Sequence, residues 1–193
     1  ILGFPLTHTN NGWLNLSGSE YVDCGDSTVL DIRSAITLEC WFKKDDITTT
    51  QEIISKNNAT NVNFHLLAYS NANIYFSLYV GGSAIDTNTT YAANTWYHLV
   101  ATYDGANQKL YMNGVLKDDD AETGLIDNDD VSLTIGARED GMDWQFSGSI
   151  DEVRIYNRAL TAFEADGSAP EVGETVTSGE IYKNYKHGLS KHS

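Results

Sequence analysis

The chain has 193 residues, of which 12 are basic and 27 acidic, for a net charge of −15. That excess argues against nucleic acid, whose phosphates need clustered Lys and Arg, and against an anionic membrane surface. A hydrophobic fraction of 41% with 11% aromatics excludes a disordered chain, and no apolar run approaches the ~20 residues of a membrane-spanning helix.

The chain opens ILGFPLTHTN, with no initiator Met and no basic region ahead of an apolar stretch. It reads as a processed terminus, a boundary or the visible part of a longer polypeptide. Short β-like runs separated by turn residues then dominate. In Ile36–Lys43, Ile36, Leu38, Cys40 and Phe42 share one face, while Thr37, Glu39 and Lys43 share the other. Trp41 breaks the polar set, which predicts a strand covered on both sides. Glu52–Lys56, Phe64–Tyr69, Ile74–Val80 and Ser83–Thr87 follow, the last two joined through Gly81-Gly82. Trp96–Tyr103 and Lys109–Tyr111 flank the turn residues Asp104-Gly105-Ala106-Asn107. Asn113-Gly114 is the strongest turn signal, because both residues accept the positive φ of a type I′ turn. Ser132–Ala137 and Phe146–Tyr156 complete the set. About a dozen strands without intervening helices predict antiparallel sheets in a sandwich or jelly roll.

The tail differs. Ala165–Gly179 is acidic, rich in small polar residues and carries Pro170, so it reads as an exposed loop. A short helix is expected from about Ser178 to His187, with Ser178 as N-cap and Gly188 as the stop. The last residues, Lys186–Ser193, are basic and are expected to be mobile or docked on a partner. The division is therefore a jelly-roll domain over residues 1–160 and an extension over 161–193.

Candidate chemistry is sparse. The five histidines have no metal-ligand spacing, no Ser or Cys sits in a nucleophile motif, and His98 within a strand reads as a hydrogen-bonded structural residue. No paired carboxylates have the spacing of a glycosidase strand. Cys24 and Cys40 are compatible with a bridge or with two small buried thiols. In Asp151-Glu152, strand alternation puts one carboxylate on each face, and the interior one needs Arg154 or a bound cation as partner. Acidic loops, Asp45-Asp46, Asp118-Asp119-Asp120, Asp127-Asn128-Asp129-Asp130 and Glu139–Asp143, are a solvated surface or a source of hard oxygens for calcium. Trp144, beside Asp143 and Gln145, is the best exposed aromatic for stacking on a sugar ring.

Trp96–Gly105 (WYHLVATYDG) and Leu110–Gly114 (LYMNG) together resemble the central hairpin of laminin-G-like, concanavalin A-like domains. In order and spacing, Tyr21–Gly25 resembles the opening strand of that family, Ile36–Lys43 its T-x-x-x-W strand, and Gly148–Leu160 its closing strand. The resemblance implies an all-β fold, an antiparallel β-sandwich of jelly-roll, concanavalin A-like type. It also implies a structural calcium joining the first strand's loop to the closing strand, at positions matching Asp23 or Asp26 and Asp151. In pentraxin-like members calcium binds at loop tips for ligand recognition, and Asp140 and Asp143 are the matching positions. The function expected is a non-catalytic recognition or adhesion module at an extracellular surface, binding glycans or a surface protein through Trp144, Asp140 and Asp143. The alternative is a structural virion component, such as a phage capsid-decoration or tail protein, docking on capsid subunits through its basic C-terminal tail.

Overall fold

The computed structural model describes residues 12–58, 60–139, 143–163 and 170–192. The strands are β1 (Leu14–Ser17), β2 (Val22–Gly25), β3 (Ile36–Lys44), β4 (Gln51–Asn57), β5 (Val62–Ala68), β6 (Asn73–Val80) and β7 (Ser83–Thr90). They continue with β8 (Tyr97–Tyr103), β9 (Asn107–Met112), β10 (Val115–Ala121), β11 (Leu133–Ile135), β12 (Ser147–Tyr156) and β13 (Ala162–Phe163), and the helix α1 (Gly179–His192) follows. Two six-stranded antiparallel sheets face each other, ordered β1-β12-β3-β8-β9-β10 and β2-β11-β4-β5-β6-β7. The expected jelly-roll sandwich is present. Among the described residues no helix is long and apolar enough to cross a membrane.

The alternation read in Ile36–Phe42 sets the core. Ile36, Leu38, Cys40 and Phe42 are fully buried and meet Phe64, Leu66, Phe76 and Leu78 of the opposite sheet. Each such side chain contributes roughly 1.5–3 kcal/mol on leaving water. The Asn113-Gly114 turn joins Met112 to Val115 with φ of 52° and 74°, and Gly81-Gly82 joins Val80 to Ser83 with 59° and 80°. Both are the turns the sequence predicts. Cys24 and Cys40 are free thiols, one exposed and one buried.

Three features depart from the sequence reading. Val115–Ala121, containing Lys117-Asp118-Asp119-Asp120, is the edge strand β10 and not a loop. Gly173–Thr175 cover the edge at Val115 and Leu116, and beyond them the acidic side chains mostly face solvent, which discourages pairing with a second chain. Second, Asp151 and Glu152 do not fall on opposite faces. The β12–β3 register slips between Asp151 and Arg154, and Glu152 adopts φ of 50°. This bulge turns both carboxylates toward α1. Glu152 pairs with Arg154 at 3.0 Å and with Lys191 of α1, while Asp151 lies 3.3 Å from His192 Nε2.

The third departure is the tail. The helix runs to His192, past Gly188, and packs on the outer face of the β3 sheet. Its first half joins Val100, Tyr111, Leu116, Leu160 and Val176 through Ile181 in a second apolar cluster. Its second half covers the other face of β3, so the strand is buried on both sides as Trp41 implies. There Glu39, fully buried, receives hydrogen bonds from Asn184 Nδ2 at 2.9 Å and Tyr156 Oη at 3.3 Å. It also meets His98 Nε2 at 2.9 Å and Arg154 Nη1 at 3.4 Å. His98 is thus the hydrogen-bonded structural histidine expected. The segment read as mobile or docked on a partner is docked on this chain's own sheet.

Candidate functional site

Among the described residues, the outer face of the other sheet carries no helix. Register puts Leu67 and His65 of β5 on this face, beside Tyr75 and Ser77 of β6 and Asn88 and Asp86 of β7. Phe64, Leu66 and Ala68 point the opposite way, into the core. A bulge in β4 between Glu52 and Ile54 sends Ile53 and Ile54 inward and sets Glu52 beside Leu67 and Ser55 beside His65. Glu52 and Ser55 are fully buried, and His65 is 7% exposed.

These groups form a polar floor. Glu52 Oε1 lies 2.9 Å from His65 Nδ1 and accepts a hydrogen bond from Asn57 Nδ2 at 3.3 Å. Burial by itself lowers the His65 pKa, but the Glu52 charge and hydrogen bond, with Asp86 adding to them, outweigh it and raise it. Among the described residues, Glu52 Oε2 and Ser55 Oγ are buried without a hydrogen-bond partner. A buried carboxylate oxygen left in that state costs free energy.

One rim of the face is built by the connection from β11 to β12. Both of its ends are clamped: Gly136 N–H donates to Ile53 C=O at 3.0 Å, and Phe146, fully buried, donates its N–H to Gly136 C=O at 2.8 Å. Trp144 stands out from the connection, 38% exposed, in the left-handed region at φ of 56°. That conformation is costly for a bulky residue and persists only where surroundings enforce it. Here Glu52 N–H donates to Trp144 C=O at 2.8 Å, which fixes the rim to the floor. The Arg138 guanidinium lies 5.0 Å from the centroid of the Trp144 ring, and its Nη2 donates to Asp143 Oδ2 at 2.6 Å. The result is an aromatic platform backed by a cation, with an exposed carboxylate at its side.

The sequence-predicted residues divide between the two sheets. Trp144 and Asp143 are brought together, through Arg138. Asp140 lies outside the described residues. Asp23 pairs in register with Thr134 on this same outer face, where its Oδ1 accepts the Gly25 N–H at 2.8 Å. Asp26 takes the buried ammonium of Lys56 at 2.7 Å. Hydrogen bonds from Asp130 and Lys56 lower its pKa, and the same contact raises that of Asp130. Asp151 lies on the outer face of the β3 sheet, with the core between it and Asp23. Among the described residues, no group of three or more His, Cys, Asp or Glu side chains is placed to hold a metal ion.

Sequence reasoning missed Arg138, Glu52 and His65. For Arg138 the usable signal was a lone cation five residues before Asp143 in an acidic stretch. Glu52 and His65 meet only through strand pairing, which local patterning does not encode.

Against known proteins, the profile of the concanavalin A-like lectin/glucanases superfamily matches residues 16–165. A search of curated protein sequences found no match. Among solved structures, the Ruminococcus gnavus IT-sialidase CBM40 bound to α2,3-sialyllactose superposes with a TM-score of 0.65 at 17% identity, covering 78% of this chain and 92% of that one. Domain 4 of AbnA, a GH43 extracellular arabinanase from Geobacillus stearothermophilus in complex with arabinotriose, gives 0.60 at 23% identity, covering 77% and 72%. The botulinum neurotoxin serotype G binding domain gives 0.59 at 16% identity and 77% coverage of this chain. This chain spans 40% of the length of that toxin domain. At these identities the likeness is one of fold.

Proposed function

Since the chain belongs to the concanavalin A-like lectin/glucanases superfamily, we propose that it is a non-catalytic carbohydrate-binding module of an extracellular or surface protein. The observation that carries this reading is Trp144, held exposed in a left-handed conformation over Arg138 and beside Asp143. A sugar ring stacks its C–H face on an indole and places its hydroxyls on flanking polar groups. Trp144 supplies the platform. Asp143 supplies an acceptor, and the buried Glu52–His65–Asn57 cluster braces the platform from beneath through one backbone hydrogen bond. Two of the solved structures with this fold hold sialyllactose and arabinotriose, which supports the class of ligand.

The absence of catalysis is part of the same proposal. Retaining hydrolysis needs two carboxyl groups about 5 Å apart across the scissile bond. Glu52, the buried carboxylate of this face, is instead engaged by His65 and Asn57.

A glycan array probed with the intact chain, in calcium and in EDTA, tests the reading. We expect binding that Trp144→Ala weakens by about tenfold or more, on the scale of one lost aromatic contact. Loss of binding in EDTA would extend the reading to a calcium-dependent lectin and put Asp23, Asp26, Asp140, Asp143 and Asp151 next for mutation. No binding in either buffer, or unchanged binding by the Trp144 variant, overturns it.

A further inference from the structure

The outer face of the β3 sheet holds a second constellation, separate from the Trp144 face. Trp13, Trp41 and Trp96 surround the imidazole of His192 at the end of α1. The ring centroids lie 4.6 Å from Trp41, 4.3 Å from Trp96 and 6.3 Å from Trp13. Trp13 and Trp96 stand edge to face at 5.6 Å and close one side of the box. At its floor lies Asp151, 3.3 Å from His192 Nε2, and next to it in sequence is Glu152, which the β12 bulge turns the same way and which pairs with Arg154 and Lys191.

The occupant fits the box poorly in polar terms. The His192 side chain is fully buried, yet among the described residues neither ring nitrogen makes a hydrogen bond, and the Trp41 Nε1–H beside it is also buried without a partner. Indole walls and a carboxylate floor are the chemistry that recognises an organic cation: ring faces attract the charge, and the acid compensates it. Trp96 already carries one cation, the Lys43 ammonium, 5.5 Å from its centroid. The net charge of −15 draws further cations to the chain.

We propose that Trp13, Trp41 and Trp96, with Asp151 and Glu152, form a second binding site that recognises an organic ammonium group, and that the last turn of α1 fills it in the ligand-free chain. The ligand displaces His192 and leaves the apolar first half of α1 in place on Ile181. Burial lowers the His192 pKa, outweighing Asp151 and Glu152, so the resident ring is neutral at neutral pH. A permanent cation satisfies Asp151 better than that ring does. A site for a neutral sugar would not need a carboxylate at the floor of an aromatic box, and this site does not depend on the glycan reading of the Trp144 face.

The test uses the full chain and tetramethylammonium as probe, with tert-butanol as its neutral counterpart of similar shape. The indole N–H resonances are followed by NMR, with Trp144 as internal control. We expect tetramethylammonium to shift the Trp41 and Trp96 signals saturably while leaving Trp144 unchanged, and tert-butanol to shift none of them. His192→Ala, which removes the resident competitor, should tighten binding by about tenfold, and Asp151→Asn should weaken it by a similar factor, on the scale of one cation–π or charge contact. Thermal melts establish that each variant is folded, and Asp151→Asn, nearly unchanged in shape, carries the test if His192→Ala unfolds. Equal response to the two probes, no tightening in folded His192→Ala, or unweakened binding in folded Asp151→Asn overturns the proposal.

Discussion

Gly188 of α1 rests on the indole of Trp41 so closely that a Cβ at that position would overlap Nε1 and the adjoining ring carbons. The residue that sequence reading takes for a helix stop is an interior helical position chosen for contact. In an exposed helix Gly→Ala gains about 1 kcal/mol. Here the clash reverses the sign, because neither the strand-bound Trp41 nor the helix backbone yields easily. Gly188→Ala should cost about 1–3 kcal/mol, as overpacked contacts do, with Trp41 fluorescence reporting the lifted helix. Stability by urea denaturation equal to or above that of the wild type would refute this account.

Glu39 is the polar centre beneath α1, held by His98, Arg154, Tyr156 and Asn184. Glu39→Ala strands the buried His98 and takes one partner from the half-buried Arg154, which keeps Glu152, and should cost about 3 kcal/mol, the lower end of the range for removing one partner of a buried ion pair. Urea denaturation measures it. A loss under about 1 kcal/mol, the scale of an exposed pair, would show the cluster to be weakly coupled.

His65 predicts a pH dependence. Its pKa in the folded chain is raised above the ordinary value of ~6.5. Its contribution is therefore complete below that value and is lost as pH rises through the raised one. Between pH 6 and 8, wild-type stability should fall more steeply than that of Glu52→Gln, in which burial alone acts on the imidazole. Parallel slopes in the two proteins would remove Glu52 as the cause.

Glu180 predicts the opposite slope in acid. Arg158 grips its carboxylate through Nη1 at 2.7 Å and Nη2 at 2.5 Å, and with the Thr161 N–H this holds the Glu180 pKa at about 2. The contribution is present above the ordinary glutamate value of ~4.3 and is lost as pH falls through about 2. Arg158→Met should move the acid detachment of α1 to higher pH, followed by Trp41 emission. An unchanged acid midpoint would mean that α1 is anchored elsewhere.

Much of the fold is local information. The alternation Ile36–Phe42 and the Gly81-Gly82 and Asn113-Gly114 turns reveal strands and hairpins because period and positive φ belong to neighbouring residues. β10 escaped because an edge strand with solvent-facing aspartates carries no apolar alternation. The site was half legible: Trp144 and Asp143 stand out as an aromatic and an acid in a polar loop. Arg138 does not, because stacking on Trp144 depends on how the β11–β12 connection closes.

By itself the sequence determined the two-sheet sandwich, its principal hairpins and the double burial of β3, since each rests on residues within a few positions of one another. Tertiary structure decided that Glu39 gathers His98, Arg154, Tyr156 and Asn184, and that Glu52 meets His65. It also decided that the bulge turns Asp151 and Glu152 together onto α1, and that Gly188 lies on Trp41. Those relationships join residues far apart in the chain, and they exist only once strand register and helix docking have brought their side chains within contact distance.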